Sequence, residues 1–142
     1  MNLYFFGANL ILMAANEVYL LENQWSLLKE VKAINNNHIE ALADVPVDSP
    51  WFSGHFPGEP ILPGIALVHI VEQAIIEFAK TKGEQFHLHV LKRVRFTQPV
   101  RPGETLTVKI TGEETDNEVF FTFKVANKKD IVCSGLIAVQ KN

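Results

Sequence analysis

Between Trp51 and Gly64 the chain sets one histidine among three prolines and three glycines: Trp51-Phe52-Ser53-Gly54-His55-Phe56-Pro57-Gly58-Glu59-Pro60-Ile61-Leu62-Pro63-Gly64. Each proline fixes its own φ and restricts the residue before it, so the loop is stiff and holds His55 in a set place relative to the segment after Pro63. A neutral imidazole, with an ordinary pKa of about 6.5, accepts a proton at cellular pH. Pro63 lacks an N–H and suits the first turn of a helix, and Gly64 has no side chain to obstruct a ligand. Free N–H groups at such a helix start polarise a carbonyl oxygen. Further on, His69, Glu72, Gln73, Glu77 and Lys80 recur at spacings of three and four, which on a helix is one stripe. A histidine on a rigid loop, donors at a helix start and titratable groups along the helix are the components of acid–base chemistry beside a carbonyl.

The elements that must position these groups are set by the apolar pattern. From Ile65 to Ala79 the run Leu67, Val68, Ile70, Val71, Ala74, Ile75, Ile76 and Phe78 is too long for a strand and has no internal Gly or Pro, which predicts one buried helix. Strands are expected over Trp25–Ile34, His38–Val45, Phe86–Phe96, Thr105–Thr111, Glu118–Ala126 and Asp130–Val139. In the fifth of these, Val119, Phe121, Phe123 and Val125 share one face. Asn35-Asn36-Asn37, Asp116-Asn117 and Asn127-Lys128-Lys129 read as turns. The expectation is an α+β layer architecture, an antiparallel meander wrapped around one central helix.

Length and composition bound the rest. The 142 residues suit one domain, expected over 17–142, with 47% hydrophobic and 20% charged residues, which excludes a disordered chain. A single cysteine, Cys133, excludes an intrachain disulfide and Cys-rich zinc sites, and it points to a reducing compartment, the cytoplasm. A net charge of -3 disfavours nucleic acid as a general partner. Residues 1–16 carry no charge and are strongly apolar. They lack the basic start of a signal peptide and are too short for a membrane span, so neither secretion nor a membrane partner is expected. Two readings of the stretch stand: a protease-site remnant with Met13 as the natural start, or a real N-terminal strand or hairpin.

Gly54-His55-Phe56-Pro57, then Pro60, then Pro63-Gly64 opening a long apolar helix, resembles the (3R)-hydroxyacyl-ACP dehydratases of fatty-acid synthesis, the FabZ/FabA family. Arg95-Phe96-Thr97-Gln98-Pro99-Val100-Arg101-Pro102-Gly103-Glu104 is similar to that family's Arg-Phe-x-x-Pro-Val-x-Pro-Gly-Asp turn, and Val132-Cys133 resembles its last strand. The likeness runs from about Trp25 to the C-terminus. Pro60 to Ala66 looks closer to the branch of aryl-polyene and related polyketide-like pathways. The resemblance implies a hotdog fold, pairing into a homodimer or an oligomer of dimers, active sites at the subunit interface, and no metal or organic cofactor. It implies that His55 is the catalytic base, that the Gly64 N–H binds the thioester carbonyl, that Phe56 contacts substrate and that Gln73 supports the site. The family's Glu or Asp on the helix, contributed by the other subunit, is here His69.

Dehydration of a 3-hydroxyacyl thioester to a trans-2-enoyl thioester needs a base at C2, a donor to the carbonyl oxygen and an acid for the departing hydroxyl. His55 and Gly64 fit the first two roles. His69, as a cation or through a water, is the expected acid, with Glu72 one turn away to assist or orient it. Beside these stand plainer readings: a turn histidine bonded to backbone, a polar residue on the helix stripe, strand packing for Phe120, Phe121 and Phe123, and a small buried hydrophobe at Cys133. Gln85 to Gly103 holds no acid but carries Lys92, Arg93, Arg95 and Arg101, a strip suited to docking an acidic acyl carrier protein or simply a solvated strand face. Two other functions remain open, an acyl-thioester hydrolase and a non-catalytic acyl or carrier-binding subunit, the latter because His69 replaces the family acid.

Overall fold

A computed structural model describes residues 25–53 and 58–141, with the side chains of 87–89 and 141 left out of account. The readings made for residues 1–16 lie outside the described residues. The elements run β1 (Leu28–Asn35), β2 (His38–Asp44), a single 3-10 turn (Pro50–Phe52), α1 (Gly64–Thr81), β3 (Phe86–Phe96), β4 (Thr105–Glu114), β5 (Glu118–Ala126) and β6 (Ile131–Lys141). The six strands among the described residues form one antiparallel sheet in the order β1-β2-β4-β5-β6-β3. The hotdog architecture is therefore present, one long helix against a six-stranded sheet.

The strands are not a simple meander. The chain leaves β2 on one side of the sheet, crosses as α1, and returns as β3 on the far edge beside β6. That crossing results from the composition of α1, whose Ala66, Leu67, Val68, Ile70, Val71, Ala74, Ile75, Phe78 and Ala79 are all buried. So broad an apolar face must be covered, and here the sheet covers it. The strands supply alternate residues to it: Leu106, Val108 and Ile110 from β4, and Val119, Phe121, Phe123 and Val125 from β5. The face expected for β5 is thus the inward one. Large aliphatic or aromatic side chains buried this way contribute roughly 1.5–3 kcal/mol each.

The expected boundaries hold to within a few residues, and the departures have local causes. β1 begins at Leu28 rather than Trp25, because Trp25 is drawn off to stack edge-on against Trp51, ring centroids 5.0 Å apart. β4 runs on to Glu114, with Gly112 opposite Phe121, so the hairpin with β5 is longer than its apolar core requires. β3 does not alternate cleanly. It is bulged between Leu88 and Val90 and again between Lys92 and Arg95, with Arg93 at a φ of 54°. Bulges on an edge strand turn its free hydrogen-bonding groups away from regular pairing. Ile76, expected inside, stays 40% exposed, as Ile65 at the helix start stays 61% exposed, because both fall on the stripe of α1 that faces away from the sheet.

Cys133 is buried in β6, and burial pushes its thiol from the ordinary 9.0 up to about 11. It behaves as the small hydrophobe expected of it. Replacing Ile75, 2% exposed at the centre of α1, by Asp places an unpaired carboxylate in this core. Such burial destabilises by more than about 4 kcal/mol, a large part of a domain's net stability. Circular dichroism of Ile75→Asp should show an unfolded or aggregated chain; a soluble variant melting cooperatively near the wild-type temperature would contradict this placement of the helix.

Candidate active site

The helix start is formed as the loop chemistry predicts. Pro63 occupies the N-cap with φ -63° and ψ 145° and provides no side-chain acceptor, while Gly64 begins α1. The Ala66 N–H donates back to the Pro63 carbonyl at 2.9 Å, which leaves the Gly64 and Ile65 N–H groups as the donors of the first turn without a partner in the helix. The loop is anchored just before this point by the Leu62 N–H, which donates to the Val100 carbonyl at 2.8 Å.

Beside the helix start lies a cavity of about 610 Å3, walled by Ile61, Leu62, Ile65, Phe96 and Val100 among others. Its lining is mainly apolar, the character required of a pocket for an acyl chain. The absence of a side chain at residue 64 has a visible reason. A Cβ built there would lie 2.7–3.0 Å from the Phe96 ring, closer than carbon atoms pack. Phe96, the last residue of β3 and 53% exposed, is thus a wall of the cavity laid directly over the helix start. Its role was not drawn from the sequence, although its place just before Thr97-Gln98-Pro99 and the need for Gly at 64 both pointed to it.

His55 and Phe56 lie outside the described residues. His69 sits on the outer stripe of α1, its side chain 37% exposed, with Nδ1 3.9 Å from Glu72 Oε1. This is an ion pair only when the imidazole is protonated, and at this separation and exposure it is a weak one. On its other side His69 meets Trp51, ring centroids 6.1 Å apart, and Trp51 donates from Nε1 to the Trp25 carbonyl at 2.7 Å. Trp51 and Trp25 were not among the expected site residues. Trp51 belongs to the short 3-10 turn whose N-cap Ser49 accepts from the Trp51 N–H. It therefore fixes the beginning of the Pro- and Gly-rich loop against the helix stripe.

Gln73 faces the Ser26 hydroxyl, 3.4 Å from Oε1 and 3.3 Å from Nε2. This bond ties the approach to β1 to the helix. The four cations expected to dock a carrier lie on two elements. Lys92, Arg93 and Arg95 are exposed along the bulged edge strand, whereas Arg101 sits on the β3–β4 turn and pairs with Glu59 at 3.2 Å. Among the described residues no group of His, Cys, Asp or Glu is arranged to hold a metal ion.

Among the described residues, one long helix across a six-stranded antiparallel sheet defines a hotdog protein, with an uncapped helix start beside an apolar cavity. The chain belongs to the ApeI-like family, described as ApeI dehydratase, which it matches over residues 30–136. Among curated proteins it is 33% identical over 89 residues to the 3-hydroxyacyl-acyl-carrier-protein dehydratase FabZ of Syntrophobacter fumaroxidans, a match covering 59% of this chain and 60% of that one. It is 36% identical over 83 residues to the Klebsiella pneumoniae enzyme of the same name, covering 54% and 55%. The chain thus spans little more than half the length of these relatives. A solved structure titled the dehydratase heterocomplex ApeI:P from Xenorhabdus doucetiae superposes with a TM-score of 0.64 at 24% identity, over 81% of this chain and 97% of that one. The Escherichia coli PaaI protein superposes with a TM-score of 0.68 at 13% identity, over 90% of both chains. At those identities the two structures support the fold alone.

Gly64→Ala tests the close approach at the helix start. The half-exposed Phe96 ring can swing aside, and Ala is a better helix former than Gly by up to about 1 kcal/mol, so the variant should melt within a few degrees of wild type. A methyl group at the helix start and a displaced ring should together weaken binding of an acyl thioester about tenfold, measured by titration calorimetry. Unchanged acyl binding would contradict the assignment of this cavity.

Proposed function

We propose that the chain dehydrates (3R)-3-hydroxyacyl thioesters carried on an acyl carrier protein to trans-2-enoyl thioesters, in fatty-acid or aryl-polyene-like synthesis in the cytoplasm. The observation that carries this reading is the Gly64 helix start beside an apolar cavity of about 610 Å3, within a chain of the ApeI-like dehydratase family. The acyl chain lies along the cavity and the thioester oxygen meets the free N–H groups of α1. A partial positive charge there stabilises the oxygen as it gains electron density.

His55 removes a proton from C2. The electron pair left behind is held by the carbonyl oxygen and then forms the C2–C3 double bond as the C3–O bond breaks. The departing hydroxyl takes a proton from the His69 imidazolium and leaves as water. Glu72, 3.9 Å from His69 Nδ1 and one turn away on α1, orients the ring. Two further proposals complete the site. A second copy of the chain supplies His69 to the His55 of its partner, and Ile65, Val90, Leu91 and Phe96, apolar and exposed, become covered in that pairing.

A second reading, a non-catalytic acyl- or carrier-binding subunit, has one observation in its favour, the imidazole at position 69 where the resemblance calls for a carboxylic acid. Mixing the protein with carrier-linked 3-hydroxyacyl and enoyl thioesters separates the readings. Interconversion of the two is expected, with free thiol or binding alone as the contrary results. His55→Ala should lower turnover about 10³-fold, and His69→Ala about 10²-fold, the ordinary range for general acid–base groups. With histidines as base and acid, the rate should vary between about pH 5.5 and 7.5. A flat profile over that interval would rule out the pair.

A further inference from the structure

The β3–β4 turn and the β5–β6 turn enclose a second cavity, of about 420 Å3, which contains Arg101, Lys128 and Lys129. Gln98 and Pro99 line this cavity and the apolar one alike, so the two are neighbours across a shared wall. Both turns are held in place. Gly103 has a φ of 88° and donates its N–H to the Val45 carbonyl at 2.7 Å. Glu104 accepts from the Arg101 N–H at 2.8 Å and from Asn127 Nδ2 at 2.9 Å, joining one turn to the other. Asn127 Oδ1 in turn accepts from the N–H groups of Lys129 and Asp130, at 2.9 and 2.8 Å. The cavity therefore exists before any ligand arrives.

Its charges are unevenly committed. Both carboxylate oxygens of Glu104 are engaged in those bonds, and Arg101 is paired with Glu59, leaving Asp130 as the remaining acid of the lining. Lys128 and Lys129 have no ion-pair partner among the described residues and are exposed on the turn. Of the four cations read from the sequence as a docking strip, only Arg101 lines this cavity.

We propose that this second cavity binds the phosphodiester of the carrier's pantetheine arm, with Lys128 and Lys129 as its cations and Arg101 fixing the facing turn. The inference rests on the proposed thioester substrate. A carrier-linked thioester is apolar at its acyl end and anionic at the far end of its arm, and the two adjoining cavities have that same order of properties. A lysine ammonium near a phosphate makes a charge-assisted contact that is partly screened by salt.

The experiment compares two non-reactive ligands, an acyl-pantetheine amide and the same compound phosphorylated at the end of the arm, by titration calorimetry on the full chain. The phosphate should improve the dissociation constant of wild type about tenfold at low salt, and the gain should shrink as salt is raised. In Lys128→Glu with Lys129→Glu the ratio of the two constants should fall to about one. Lys128→Gln with Lys129→Gln, which is gentler to the turn, should reduce it to about two- or threefold. A ratio near one in wild type, or one that survives either double substitution, would overturn the proposal. So would inorganic phosphate binding as tightly as the phosphorylated ligand, since that would make the cavity a simple anion site. If the ratio behaves as expected while no 3-hydroxyacyl thioester is turned over, the dehydratase reading fails and the binding site stands.

Discussion

The arrangement depends on one constraint, the burial of α1. Nine of its residues are inside, and that broad apolar face is covered by the sheet. Lying across the sheet, the helix carries the chain from β2 to the opposite edge, which is why β3 pairs with β6 and not with β2. The same burial fixes the direction of everything left over. Residues that cannot go inward, His69, Glu72, Gln73 and Ile76, form the outer stripe, and Gly64 is brought to the end of the helix beside the β3–β4 turn.

The candidate site is then a set of contacts made to that fixed helix. Trp51 packs on His69 and Ser26 on Gln73, so the segments on both sides of β1 and β2 are tied to the stripe by short-range contacts. Val100 holds Leu62, and Phe96 covers Gly64, so the turn after β3 is tied to the helix start. Each contact is modest and several are solvent-exposed. Their effect is on position more than on stability, and in the proposed acid–base chemistry the groups must be held in place before the substrate arrives. The bulges of β3 serve the same end differently: they let an edge strand carry Arg93 and Phe96 in non-alternating directions.

Much of this was legible in the sequence. The helix could be read because its run of large apolar residues has only one architectural outcome, and the strands because Val119, Phe121, Phe123 and Val125 alternate without interruption. The helix start was legible in Pro63-Gly64. The crossing of β3 to the far edge was not, since periodicity along a strand says nothing about which strand lies beside it. Phe96 and Trp51 escaped for a similar reason: aromatics near a turn read as packing, and only the fold shows that one lies over Gly64 and the other against His69. For the basic strip, the sequence did not show which other cations lie beside it. Nearness in sequence placed Lys92, Arg93, Arg95 and Arg101 together, whereas the turn geometry sets Arg101 near Lys128 and Lys129, far along the chain, and leaves the other three on the edge strand.

The central claim is that the start of α1 receives a thioester carbonyl with its acyl chain in the adjoining cavity. Infrared difference spectroscopy of a bound enoyl thioester, isotopically labelled at the carbonyl carbon, tests it most directly. Donation from the helix N–H groups should lower the carbonyl stretching frequency below its value in water, and the lowering should diminish in Gly64→Ala. A bound thioester whose carbonyl frequency matches that in water, or whose shift is untouched by the substitution, would contradict the account.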